Sequence, residues 1–249
     1  MAGVAPEVRV FTDAEALNQA AATVFTETAR EAIGRRGRCL VCLSGGSTPG
    51  RTYALLAMSP QRELIEWSEM HFYWGDERCV PPEDLNSNYR LARELLLAKV
   101  PVPTGNIHRV RTELEPDLAA QDYTLTLGRT AEPPMHWPRF DLVFLGLGED
   151  GHTASLFPHA NDVVGPPAIA VQAAEAKPPG WRVSLTDQVF NSARRIVFLV
   201  QGAGKSSIVA RVLFGAFEPL VLPAQRIHPA DGEITWLLDS GAAAGRGSG

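Results

Sequence analysis

Short apolar runs of four to six residues recur along the chain, each closed by glycine or polar residues and most followed by a helical pattern. They fall at 8–11, 39–43, 70–74, 140–145, 196–200 and 234–238, with helix-like segments at 14–33, 48–58, 88–99 and 205–214. A strand buried on both faces reads as continuous hydrophobicity, so this alternation predicts an α/β fold with a mainly parallel twisted sheet and helices on both faces. Such sheets bind ligands beyond the carboxyl ends of their strands. Asp13, just before the first helical segment, is placed to cap it.

Residues 101–138 are less regular, and 160–180 are rich in Pro and Ala with little periodicity. Both read as surface excursions of one domain spanning 1–240. The tail SGAAAGRGSG at 240–249 offers nothing to pack, and 241–249 is expected to be flexible. At 249 residues the length alone suits one large domain as well as two small ones.

Charge and cysteine content exclude several function classes. With 23 Lys and Arg against 28 Asp and Glu, the net charge is -5, which leaves no basic excess for a nucleic acid partner. No run of about 18 apolar residues is present, so no membrane partner is expected. The N-terminus lacks a basic start followed by an apolar stretch, and the cytoplasm is the default compartment. Cys39 and Cys42 form a C-x-x-C inside an apolar run. A strand sends residues three apart to opposite faces, so they read as buried hydrophobes, not as a redox or metal pair.

Polar residues with chemical potential cluster just after four of the runs. Ser44-Gly45-Gly46-Ser47-Thr48-Pro49 joins a strand to a helix, and its paired glycines, hydroxyls and helix start suit a phosphate or carboxylate. Asp76-Glu77-Arg78 follows the third run, where an arginine can grip a phosphate and Asp76 can accept from a hydroxyl-rich ligand, although three adjacent charges also suit a solvated loop. Gly146, Gly148 and Gly151 satisfy a dinucleotide-binding G-x-G-x-x-G, but Pro158 leaves no room for the helix of a βαβ unit and no acidic residue ends a second strand about 20 positions on. That segment instead holds His152 in a glycine-rich turn at a strand's carboxyl end; a lone histidine is commonly structural or exposed, but one beside anion cradles suits a general base, since imidazole titrates near neutral pH. Gly202-Ala203-Gly204-Lys205-Ser206 lacks the first glycine of a P-loop, since position 199 is Leu. Lys205 at a helix start and Arg182 can still hold a single phosphate.

These segments together, with Asn86-Ser87-Asn88-Tyr89 and Gly146-Leu-Gly-Glu-Asp-Gly-His-Thr-Ala-Ser155, resemble the 6-phosphogluconolactonase family from about residue 8 to 240. The resemblance implies a NagB-like domain that hydrolyses a sugar-phosphate lactone in the pentose phosphate pathway, without metal or cofactor. It implies substrate contacts from Ser44, Gly45, Gly46, Ser47, Thr48, Arg78, Arg182 and Lys205, and catalysis by His152 with Asp150 or Asp76 orienting the ring. Glucosamine-6-phosphate isomerases of the same superfamily continue Asp-Gly-His-Ile-Ala-Phe-Asn-Glu-Pro. Their Glu falls on Phe157 here, which favours lactone hydrolysis. A sugar-phosphate sensor without turnover is the alternative from another class. No coiled-coil or exchangeable segment is legible, so monomer and dimer both stay open.

Overall fold

The computed structural model describes residues 6–159, 165–174 and 176–245. Its main sheet has six strands, β1 (Glu7–Phe11), β2 (Cys39–Leu43), β3 (Met70–Trp74), β5 (Leu142–Leu145), β8 (Arg195–Val200) and β9 (Glu233–Asp239), while β4 (Asp76–Arg78), β6 (Ala168–Ala173) and β7 (Gly180–Leu185) form a second. All six are parallel, in the order β1-β9-β8-β5-β2-β3. Each central strand splits its side chains between two cores. Leu40, Cys42, Val143, Leu145, Ile196 and Phe198 enter one. Cys39, Val41, Leu43, Leu142, Phe144 and Val197 enter the other. Cys39 and Cys42 thus lie on opposite faces, and burial pushes both thiols well up, as inert hydrophobes require.

The second core is covered by α1 (Ala14–Arg36), α2 (Ser47–Leu56) and α3 (Asn88–Ala92), the last continued by a π-helical turn over Arg93–Leu97. Asp13 caps α1 by accepting the Ala16 N–H at 2.8 Å, and Gly37 ends it in the left-handed region at φ 71°. Leu17, Ala21, Phe25, Ala29 and Ala32 recur every three or four positions and form the buried stripe of α1. The first core is covered by α4 (Pro116–Gly128) and α6 (Ser206–Phe214).

Three regions depart from the sequence expectation. The irregular stretch 101–138 contains α4, whose buried Ala119, Ala120, Tyr123 and Leu127 seal the first core. The stretch 160–180 contains β6 (Ala168–Ala173), which joins β4 (Asp76–Arg78) and β7 (Gly180–Leu185) in an antiparallel sheet ordered β4-β7-β6; positions 160–164 and 175 lie outside the described residues. The tail begins with a short helix, α7 (Ser240–Ala243), capped by Asp239 and packed through Ala242 and Ala243. Alanines and a glycine suffice there because the partner backbone comes close: a side-chain carbon at Gly241 would stand 2.9 Å from the Ala203 nitrogen.

The strand order places the site. The turn after β2 leads to α2 over one face, whereas the residues after β5 lead to the other face, and β2 and β5 are neighbours. Their carboxyl ends therefore diverge and open a crevice at the switch point. Two buried phenols fix the adjacent chain exits. Tyr53 of α2 accepts the Ser44 N–H at 3.1 Å and donates to the Ser44 carbonyl at 2.7 Å. Tyr123 of α4, from the opposite face, does the same for Trp74 at 2.8 and 2.9 Å.

Candidate active site

A cavity of about 490 Å³ occupies the crevice, within the range of small-molecule sites. It gathers Ser44 and Gly45 after β2, Asp76 and Arg78 of β4, Asp150 and His152 after β5, Arg182 of β7 and Lys205 before α6. Gly46, Ser47 and Thr48 are not among its lining residues. They turn the chain into α2, Gly46 at φ 106° and Ser47 exposed, so of the expected cradle it is Ser44 and Gly45 that line the cavity. Ser44 Oγ is buried and has no hydrogen-bond partner among the described residues.

His152 is held by its own turn. Gly148 donates its N–H to the His152 carbonyl at 2.8 Å, Thr153 Oγ1 donates to the Gly146 carbonyl at 2.8 Å, and Gly151 sits at φ 87°. A side chain at Gly148 would collide with the His152 ring and the Asp150 carboxylate, which accounts for the glycine. Asp150 Oδ1 lies 2.5 Å from His152 Nδ1 and also accepts the His152 backbone N–H at 3.1 Å. A carboxylate at Nδ1 keeps the proton on that nitrogen and leaves Nε2 as the basic one. Burial pushes the Asp150 carboxyl up, but the hydrogen bonds and charge of His152 outweigh it, so the group titrates below its usual range.

Asp76, the other candidate to orient the ring, has different partners. It is buried, accepts Ser155 Oγ at 2.7 Å and Asn88 Nδ2 at 3.2 Å, and faces Arg182 at 3.9 Å. Its negative charge is thus spent on the walls of the cavity.

The cationic side is built by the small sheet. Arg78 and Arg182 are register partners in the β4–β7 pair, and like charges directly opposite repel. Burial, then the charge of Arg78, lowers the Arg182 pKa, with Asp76 opposing. The Nε atoms of both arginines are buried without a hydrogen-bond partner among the described residues. Arg78 donates to the Asn86 carbonyl at 2.7 Å and to Asn88 Oδ1 at 2.6 Å, while Arg182 donates to the Pro178 carbonyl at 3.1 Å. Lys205 is presented by the turn after β8, where the Gly202 N–H donates to both oxygens of Asp239, at 3.0 and 2.9 Å. α7 packs on that turn, so the tail helps to place Lys205.

Lys177 and Asn88 also line the cavity, and neither was expected among the site residues, although Asn88 belongs to the motif that carries the resemblance. Lys177 lies in an aperiodic Ala-Lys-Pro-Pro stretch without any signal. Asn88 had one, since it opens a helix behind an acidic loop, and Glu77 fixes the backbone that carries its amide into the cavity. That buried carboxylate accepts the N–H groups of Arg78, Asn88 and Tyr89 at 2.8, 2.7 and 2.7 Å. Among the described residues, no group of three or more His, Cys, Asp or Glu side chains is arranged to hold a metal ion.

Comparison with known proteins places this geometry in context. Residues 12–236 match the family described as glucosamine-6-phosphate isomerases/6-phosphogluconolactonase. A 6-phosphogluconolactonase from Synechocystis is 39% identical over 242 residues, covering 96% of this chain and 98% of the relative. The crystal structure of devB protein superposes with a TM-score of 0.89 at 37% identity, covering 97% of this chain and 99% of that one. The 6-phosphogluconolactonase of Trypanosoma brucei superposes with a TM-score of 0.84 at 28% identity, over 99% of this chain and all (100%) of that one.

Proposed function

The chain belongs to the glucosamine-6-phosphate isomerase/6-phosphogluconolactonase family, and we infer that its cavity hydrolyses 6-phospho-D-glucono-1,5-lactone to 6-phospho-D-gluconate with His152 as the general base. The observation that carries this reading is the union, in one cavity, of an aspartate-held imidazole with Arg78, Arg182 and Lys205. A lactone with a distant phosphate presents the two groups such a cavity complements, an electrophilic carbon and a dianion.

In the reaction the cationic side chains and the Ser44–Gly45 turn hold the phosphate, which fixes the ring and aims C1 at the imidazole. His152 Nε2 takes a proton from water as the water oxygen bonds to C1. Asp150 stabilises the resulting imidazolium through Nδ1–H. The tetrahedral intermediate then expels the ring oxygen, the C1–O bond breaks, and His152 returns its proton to that oxygen. The product is an open-chain acid with a free hydroxyl, and the base is regenerated. General-base catalysis of this kind contributes about 10² to 10⁴-fold, and the remote phosphate supplies binding energy that positions the reacting carbon.

The isomerase reading is disfavoured at one place. Where that pattern carries its ring-opening acid, this chain has Phe157, whose ring packs 4.9 Å from the His152 ring and 5.8 Å from the Arg182 guanidinium. An apolar ring there has no proton to move.

The test is a coupled assay with 6-phosphogluconate dehydrogenase. NADP reduction well above the rate set by spontaneous lactone opening is expected. Reduction at the spontaneous rate would favour a sensor that binds without turnover, and ammonia release from glucosamine 6-phosphate would favour the isomerase.

A further inference from the structure

We propose that Asn88 is a positioning residue that aims Arg78 at the substrate phosphate without cancelling its charge, and so sets the preference for a phosphorylated over an unphosphorylated lactone. This rests on the assignment of Arg78 to the phosphate.

Three contacts of one buried amide carry the inference. Asn88 is 1% exposed. Its Oδ1 accepts from Arg78 at 2.6 Å, and its Nδ2 donates to the Asp76 carbonyl at 2.8 Å and the Asp76 carboxylate at 3.2 Å. A carboxamide offers an acceptor to one side and two donors to the other from the same position. The reversed amide would set donor against donor at Arg78, so the orientation follows from the partners.

The amide is also locked from outside. Gly45 presses against it so closely that any side chain at 45 would collide with its oxygen and nitrogen. Behind it, Glu77 holds the Asn88 backbone N–H at 2.7 Å. The rotamer is therefore fixed before a ligand arrives, which is what keeps a long guanidinium side chain from spending binding energy on its own ordering.

Charge distinguishes the two arginines. Arg182 has a carboxylate, Asp76, 3.9 Å away. Arg78 is held by two neutral oxygens, those of Asn86 and Asn88, and keeps a full charge for an incoming anion. A carboxylate at position 88 would pair with Arg78 and repel Asp76 at once.

The experiment compares kcat/KM for 6-phosphogluconolactone and for glucono-1,5-lactone in the wild type, Arg78→Ala, Asn88→Ala, Asn88→Asp and the double variant Arg78→Ala/Asn88→Ala. Asn88→Asp keeps the shape beside Gly45 and serves as the measurement if Asn88→Ala fails to fold. Both Asn88 variants are expected to lower the preference for the phosphorylated lactone about tenfold, mainly through KM: Asn88→Ala removes a hydrogen bond to a charged group, and Asn88→Asp pairs Arg78 with a carboxylate that offsets its charge. The double variant should fall within about twofold of Arg78→Ala alone, because residues acting as a unit are not additive. Arg78→Ala losing the preference while both Asn88 variants keep it would overturn the role of Asn88 and leave the phosphate assignment standing. Arg78→Ala keeping the preference would overturn both.

Discussion

Arg78 and Arg182 stand directly opposite one another in the antiparallel pair of β4 and β7 and open into the same cavity. Opposed guanidiniums repel until an anion lies between them, so a phosphorylated ligand should stabilise the fold measurably. At a 6-phosphogluconate concentration about 100 times Kd the gain is ~2.7 kcal/mol, or about 5 to 10 °C in Tm for a chain of this size. Arg182→Met retains most of the volume, and a Kd about tenfold weaker would remove ~1.4 kcal/mol of that gain. An undiminished Tm increment in the variant would take Arg182 out of the phosphate grip.

Asp150→Asn tests how the ring is oriented. The amide keeps nearly the same shape beside His152 but no longer fixes the proton on Nδ1 or neutralises the imidazolium. We expect kcat to fall roughly 10² to 10⁴-fold with KM little changed. The same substitution at Asp76 should act mainly on KM, because Asp76 contacts Ser155, Asn88 and Arg182. Steady-state kinetics with the two effects reversed would assign the orienting carboxylate to Asp76.

The two phenol clamps should be worth stability. Tyr53→Phe and Tyr123→Phe each remove the hydroxyl that serves both the N–H and the C=O of one residue, Ser44 or Trp74. Leaving buried backbone groups unpaired costs about 1 to 3 kcal/mol, to be read from urea midpoints at unchanged m-value. Unshifted midpoints would show that the strand exits are fixed by packing alone.

A histidine pair remote from the cavity gives the fold an acid limit. His71 Nδ1 lies 3.1 Å from His108 Nε2, with the rings stacked at 5.4 Å. Burial, then the charges of His71 and Arg129, lower His108 to about 4. Burial, then Arg38, lowers His71. A histidine whose folded pKa is depressed contributes stability that is fully present above its unfolded value, about 6.5, and is lost as pH falls toward the folded one. His108→Phe keeps an aromatic ring to stack on Tyr73, whose ring lies 4.4 Å from that of His108. The variant should therefore show a shallower loss of Tm than the wild type between pH 6.5 and 4. Parallel curves would show that the pair does not set the limit.

The parallel sheet was legible because strands buried on both faces have no polar positions to blur them. β2 and β3 end where their apolar runs end, at Leu43 and Trp74. α4 was hidden because two of its inward residues are alanines and prolines flank it at 116, 133 and 134. The small sheet was hidden for another reason. β4 reads Asp-Glu-Arg, and it is a strand only because β7 pairs with it across about a hundred residues of chain. In the site, His152 and its glycine turn are local and could be read directly. Asn88 stands in a segment that carries the family resemblance, but its place in the cavity depends on tertiary contacts such as the Glu77 clamp; Lys177 reaches the cavity on the loop before β7, and no local pattern announces it.

Lactone opening in this cavity turns on a proton taken by His152. The most direct measurement is the initial rate of 6-phosphogluconolactone hydrolysis by His152→Gln beside the wild type, corrected for spontaneous opening, with affinity for 6-phosphogluconate measured on both. With His152 as the base, kcat falls about 10² to 10⁴-fold and product affinity stays within a few-fold of normal. A variant that turns over at a near-normal rate would contradict that role.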